Sequence, residues 1–248
     1  MLEDFTKQTG ITVRYDTFGS NDTLEAKLLV GGSGFDVVVP TAYFLARQIR
    51  AGIFQKLDKS KLPNLVNAWP QIERRLAIYD PGNQYAVDYM WGTTGIGYNM
   101  KAALAVLGHS SINSWSDMFD SAKIARFRDC GIYLLDSSDD IMPAALRFLH
   151  LDPNSSDPGD LERAAELVGR IRPYVRKFDS SEYLNALAGG EICFVVGFSG
   201  DIKQAQKRAA QAKGGIEIGY AIPKEGAQLW FDDLAIPKDA PMLPKPTR

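Results

Sequence analysis

Asp232 is the residue whose surroundings in this sequence most clearly call for chemistry. In Leu229-Trp230-Phe231-Asp232-Asp233-Leu234-Ala235-Ile236, two-residue alternation predicts Trp230, Asp232, Leu234 and Ile236 on one buried strand face. A carboxylate among large apolar groups is costly unless paired, so a cation is expected to reach it, either an Arg or Lys of the protein or a bound solute. Asp201 raises a related question. It closes Gly197-Phe198-Ser199-Gly200-Asp201, a bare ring and an acid directly after the apolar run 192–196. Asp201-Ile202-Lys203-Gln204 also reads as a capping box, which gives the same acid a plain structural role at a helix start. Asp139 and Asp140 precede a helix carrying Pro143 in its first turn, where acids complement the helix dipole.

Other chemistries find little support. His109 and His150 lie in polar or helix-end contexts, without the nucleophile or carboxylate spacing of a triad or metal site. An enzyme acting on an amine is therefore disfavoured, and neither a metal nor a cofactor is expected. Gly31-Gly32-Ser33-Gly34 precedes a strand, whereas a phosphate cradle follows one. Cys130 and Cys193 have no CxxC neighbour, which sets aside zinc and dithiol redox motifs. They read either as two buried thiols or as a disulfide closing a loop of about sixty residues.

With 45% hydrophobic and 23% charged residues, the 248-residue chain has the apolar content for one large or two modest cores. The 28 basic and 30 acidic side chains leave a net charge of −2, so no global field draws it to nucleic acid or an anionic membrane. Any charge recognition must be local. No apolar run is long enough to span a bilayer, and the acidic Met1-Leu2-Glu3-Asp4-Phe5 does not read as a signal peptide.

The elements that must position these residues alternate along the chain. Residues 2–8 end a helix, 11–18 form a strand, and Asp22-Thr23-Leu24-Glu25 is a capping box opening a helix through Leu29. Residues 35–39 read as a buried strand stopped by Pro40, and 43–49 as a helix ended near Gly52. This βαβα order predicts an α/β fold with a largely parallel sheet. Gly92, Gly95 and Gly97 then interrupt a strand-like stretch, marking close backbone approach or a bend. That stretch reads as a crossing between domains, with a glycine-rich core strand as the rival.

A second α/β unit follows. It has a helix before Cys130, a strand at 132–135, a helix at 139–150, segments 161–171 and 183–188, the strand 192–196, and a helix at 201–213 closed by Gly214-Gly215. Strands are expected at 216–222 and 229–236. The proline-rich end, 237–248, is expected neither to pair nor to coil.

Four stretches carry a resemblance when taken together: Gly34-Phe35-Asp36-Val37-Val38-Val39-Pro40, Trp91-Gly92-Thr93-Thr94-Gly95-Ile96-Gly97-Tyr98-Asn99, Cys193-Phe194-Val195-Val196-Gly197-Phe198-Ser199-Gly200-Asp201, and Ile222-Pro223-Lys224-Glu225-Gly226-Ala227 with Trp230-Phe231-Asp232. Over residues 1–238 the chain resembles the polyamine-binding (putrescine and spermidine) periplasmic solute-binding proteins of ABC importers. The resemblance implies a periplasmic-binding-protein-like (type II) α/β clamp of two domains, closing on a linear polyamine in the cleft between them. The first lobe would comprise 1–90 plus 228–248, discontinuous and lacking its first strand, and the second 91–227.

Position by position, the resemblance implies that Asp201 and Asp232 bind ammonium groups, that Trp230 is a ring beside the second acid, and that Phe198 stands where the family has tryptophan. Asp140 falls where a glutamate is usual, one methylene shorter. Thr41 and Tyr43 match cleft-lining positions, and Cys130 and Cys193 match a family disulfide. The partners implied are putrescine or spermidine and the membrane permease of an ABC transporter, with the protein a monomer in the periplasm, binding no nucleic acid. The family's chain begins earlier, with a secretion signal, and continues further, so an incomplete clamp, truncated at both ends, is expected. Rival readings are a non-binding remnant, a protein for another cationic solute, and a sensor docking a membrane receptor.

Overall fold

The computed structural model describes residues 2–18 and 20–241. It divides into two compact units, Met1–Met90 with Phe231–Arg248, and Trp91–Trp230. No described helix is long and apolar enough to cross a membrane.

The first unit contains α1 (Leu2–Thr9), α2 (Asn21–Val30), α3 (Ala42–Arg50) and α4 (Pro70–Leu76). Helix α2 starts earlier than the capping box suggested. The Ser20 hydroxyl accepts the Thr23 N–H at 3.2 Å, so Ser20 is the N-cap and Asp22 falls inside the first turn. On α3, Ala42, Phe44, Leu45 and Gln48 form the buried stripe that helical periodicity requires. They belong to a core that includes Phe54, Leu76 and Phe231.

Two strands expected here are not strands. Residues 11–18 carry no secondary structure and are exposed throughout, and 35–39 reduce to one antiparallel bridge, Val38 to Ala235. Their β-branched composition suits a pleat, but a strand exists only where a partner accepts its backbone bonds. Pro237, expected not to pair, forms a bridge with Phe54, because a bridge can use its carbonyl and its neighbours' groups. The adjacent Lys238 N–H donates to the Ile53 carbonyl at 2.9 Å. Of the proline-rich end, residues 242–248 lie outside the described residues.

β1 (Ala86–Asn99) begins in the first unit and continues into the second. There it is followed by α5 (Met100–Leu107), the short α6 (Ser116–Phe119) and α7 (Ser121–Ile124), β2 (Ile132–Leu134), α8 (Ser138–Phe148), α9 (Pro158–Ile171) and β3 (Lys177–Phe178). Next come α10 (Tyr183–Gly189), β4 (Phe194–Phe198), α11 (Ser199–Ala212), β5 (Ile218–Ala221) and β6 (Gln228–Ala235), the last of which runs back into the first unit.

The strand order is β3-β2-β4-β1-β5, with β6 also pairing β1. β2 is parallel to β3 and β4, but β1 is antiparallel to β4 and β5, so the sheet is mixed rather than largely parallel. Alternation of helices and strands along the chain implies parallel crossovers only where successive strands belong together, and the long β1 enters from outside that series. β4 sits centrally and is buried on both faces, as its unbroken apolar run requires.

Gly95 shows why β1 carries glycines. A Cβ there would stand 2.5 Å from the Ala221 carbonyl oxygen and 2.6 Å from the Tyr220 hydroxyl, so the neighbouring strand approaches too closely for any side chain. At the end of α11, Lys213 at φ 53° takes the left-handed cap, not the glycines after it. The core of this unit centres on Trp115, Phe119, Phe127, Ile132 and Phe194. Cys130 and Cys193 are joined by a disulfide, with Cα atoms 5.6 Å apart, as the resemblance implied.

Candidate functional site

In the second unit, β4 delivers Phe198 at its last residue and α11 begins at once with Ser199. The Phe198 ring meets Trp230 edge-to-face, centroids 5.7 Å apart at 81°, a geometry that the ring quadrupoles favour. Trp230 in turn lies across the backbone of β1. A Cβ on Gly92 would be 2.3 Å from Trp230 Cζ2 and 2.9 Å from Ser199 Oγ. Ser199 Oγ also accepts the Thr93 N–H at 3.2 Å, fixing the start of α11 against the same strand.

Gly92→Ala should therefore displace the indole and lower stability by about 1–3 kcal/mol, a typical cost of overpacking. Urea denaturation should show that loss in the wild-type background and a clearly smaller one on top of Trp230→Ala, where only the Ser199 hydroxyl remains in the methyl's way.

Asp201 does not cap α11. Phe198 occupies the N-cap position and makes no side-chain cap, while the Asp201 carboxylate accepts the Tyr183 hydroxyl at 2.6 Å. A D-x-x-Q spacing is compatible with a cap, but here a tertiary donor has captured the acid. Asp140 lies in the first turn of α8 and is buried. Its two oxygens accept from Thr94 Oγ1 at 2.6 Å and Ser137 Oγ at 2.7 Å. Burial raises its pKa, and these two bonds pull the other way.

Tyr183 lies close to both acids. Its phenol is raised far above the usual tyrosine range, first by burial, then by the charge and hydrogen bond of Asp201, with a smaller contribution from Asp140. Tyr183 thus links Phe198, Asp201 and Asp140, and the Phe198 ring in turn meets Trp230. Asp139, next to Asp140, is exposed.

The first unit carries the other predicted residues. Thr41 follows Pro40 as N-cap of α3, and its hydroxyl donates to Asp232 Oδ1 at 2.8 Å. Asn21 holds Thr41 on both sides: its Nδ2 donates to Thr41 Oγ1 at 2.9 Å, and its Oδ1 accepts the Thr41 N–H at 3.0 Å. Thr41 and Asp232 are also paired as an antiparallel bridge. Tyr43, two residues on, packs on Phe44 with centroids 4.7 Å apart. Burial raises the Asp232 pKa, opposed by the Thr41 hydrogen bond.

One sequence expectation reverses here. The buried face of β6 is Phe231, Asp233 and Ala235, while Trp230, Asp232, Leu234 and Ile236 are half-buried. Alternation correctly separates the two faces but carries no information on which one meets the core. Tyr183, Thr94 and Asn21 were not anticipated as partners of these acids. A buried tyrosine at a helix start reads as core, and nothing local in the sequence points from residue 183 to 201 or from 21 to 41.

The family model of the bacterial extracellular solute-binding proteins matches residues 1–243. The chain belongs to that family. It is 52% identical over 240 residues, 96% of this chain, to the putrescine-binding periplasmic protein SpuD of Pseudomonas aeruginosa, and 46% identical over 241 residues to the putrescine-binding periplasmic protein PotF of Escherichia coli. It spans 65% of the length of each of these relatives. Among solved structures, the Tp0655 (TpPotD) lipoprotein of Treponema pallidum superposes with a TM-score of 0.83 at 32% identity, covering 97% of this chain and 71% of that one. The family is one of solute-binding proteins rather than enzymes.

Proposed function

We propose that this chain binds a linear polyamine, putrescine or spermidine, as the periplasmic solute-binding component that serves the permease of an ABC importer. The observation that carries this reading is the Phe198–Trp230 ring pair, with the Phe198 N–H and the Asp201 carboxylate meeting at one Tyr183 hydroxyl. Two aromatic faces suit a methylene chain, and the adjacent carboxylate suits its ammonium end. Asp232, half-buried and held by Thr41, offers a second acid of the same kind, with Tyr43 close to it in sequence. The likeness to proteins named for putrescine binding supports the ligand class.

The energetics are sufficient. Micromolar affinity requires about 8 kcal/mol. Two or three charge-assisted bonds at roughly 1.5–3 kcal/mol each, cation–π contacts at ~0.5–2 kcal/mol and burial of the methylenes reach that figure.

Putrescine or spermidine at a hundredfold excess over Kd should stabilise the protein by about 2.7 kcal/mol in a thermal melt, and 1,4-butanediol, which has the methylenes without the charges, should not. Asp201→Asn and Asp232→Asn should each weaken binding by about 1.5–3 kcal/mol with the fold intact. Equal shifts from polyamine and diol, or calorimetric affinities untouched by both substitutions, would remove these residues from the site.

A further inference from the structure

Tyr183 opens α10 and is fully buried, and a buried tyrosine normally finds one partner for its hydroxyl. This one has two, and both matter to the proposed site. The hydroxyl donates to Asp201 Oδ2 at 2.6 Å and accepts the Phe198 N–H at 3.0 Å. The acid and the ring residue, on either side of the β4–α11 junction, are thus tied to a single oxygen.

The ring that carries this oxygen is fixed as well. A Cβ on Gly197 would stand 2.7 Å from Tyr183 Cε2, so the phenol is pressed against the strand one residue before Phe198. Its direction of donation is also fixed. With the phenol held protonated by burial and by the neighbouring acids, its one proton goes to the carboxylate, and the backbone N–H fills the lone pair. Asp201 Oδ2 is thereby occupied, while Oδ1 has no hydrogen-bond partner among the described residues.

We propose that Tyr183 is a positioning residue for cation recognition: it holds Asp201 in one rotamer, so that Oδ1 is presented at a set place beside the Phe198 ring. The proposal deepens the polyamine reading and rests on it for its ligand. A carboxylate free to rotate would still attract an ammonium group, but it would lose side-chain freedom on binding, and that entropy would oppose affinity. The Tyr183 hydroxyl removes the loss in advance. The same oxygen orders the Phe198 backbone, so acid and ring are presented together.

The test has two arms on the full chain. In the ligand-free protein, side-chain NMR couplings of Asp201 should report a single χ1 rotamer in the wild type and averaging in Tyr183→Phe. By calorimetry with putrescine, Tyr183→Phe should bind about tenfold more weakly, the loss of one charge-assisted bond's worth of order, while the double variant with Asp201→Asn should bind no more than about twofold below Asp201→Asn alone. Losses that multiply in the double variant would make Tyr183 merely structural and overturn the proposal. So would unchanged Asp201 couplings in Tyr183→Phe, or averaged couplings already in the wild type. If no putrescine binds to the wild type, the polyamine reading fails while the coupling arm still decides the role of Tyr183. Should Tyr183→Phe not fold, the wild-type couplings decide alone.

Discussion

Asp233→Val is expected to stabilise the protein, with a gain that grows from pH 5 to pH 8 and reaches the order of 3–5 kcal/mol at the upper end. Asp233 is fully buried between Phe231 and Ala235 on the inner face of β6, and neither carboxylate oxygen has a hydrogen-bond partner among the described residues. Burial raises its pKa to about 8, helped by the charges of Asp88, Asp232, Asp80 and Glu73. Asp88 is itself raised to about 6, by burial and by Glu73 and Asp232.

The direction of the pH dependence follows from linkage. In the unfolded chain an aspartate ionises near its usual value, whereas in the fold Asp233 holds its proton to about pH 8. Unfolding therefore releases a proton over the interval between them, and stability present below the unfolded value is lost as pH rises through that interval. Valine removes the group, suits a strand, and leaves no unpaired polar atom on a buried face. Urea denaturation of both proteins at pH 5, 6.5 and 8 measures the gap. A constant gap would show that Asp233 does not hold its proton in the fold.

Removing the disulfide should have a comparable effect of opposite sign. Cys130 and Cys193 are 63 residues apart, and a loop of that size corresponds to about 4 kcal/mol in the chain-entropy account. The bond reinforces contacts already in place, since the Cys193 N–H donates to the Gly131 carbonyl at 3.0 Å. The closed loop contains α8 and α10, and so both Asp140 and Tyr183. Cys130→Ser with Cys193→Ser should lower the melting point by roughly 10 °C, scaling the free energy at about 2–4 °C per kcal/mol for a chain of this size. Thermal melts of the wild type with and without dithiothreitol should reproduce the difference, and coincident melts would show that the cross-link contributes nothing.

Much of the second unit was legible because its elements declare themselves locally. The apolar run ending at Phe198, the glycine-spaced β1 and the amphipathic α8, α9 and α11 all lie within a few residues of where sequence periodicity put them. The strands that failed to form lie in the first unit. Residues 11–18 and 35–39 have strand composition, but whether a segment becomes a strand depends on a partner that composition does not name. Cap assignments failed for a related reason. Ser20 and Asp22 both offer a suitable oxygen, as does Asp201 after Phe198, and backbone geometry together with competing donors chose among them.

The sequence by itself determined the alternation of helices and strands and the two faces of β6, and it supplied the acids and rings on which the proposed site is built. Tertiary structure alone decided which face of β6 turned inward, placing Asp233 in the interior and leaving Asp232 half-buried with Thr41. It also decided that Asp201 answers to Tyr183 instead of capping its own helix. Periodicity is a property of neighbours along the chain. Burial and hydrogen-bond partnership depend on residues 18 to 191 positions away, as for Tyr183 with Asp201 and Thr41 with Asp232, and only the packed chain brings those together.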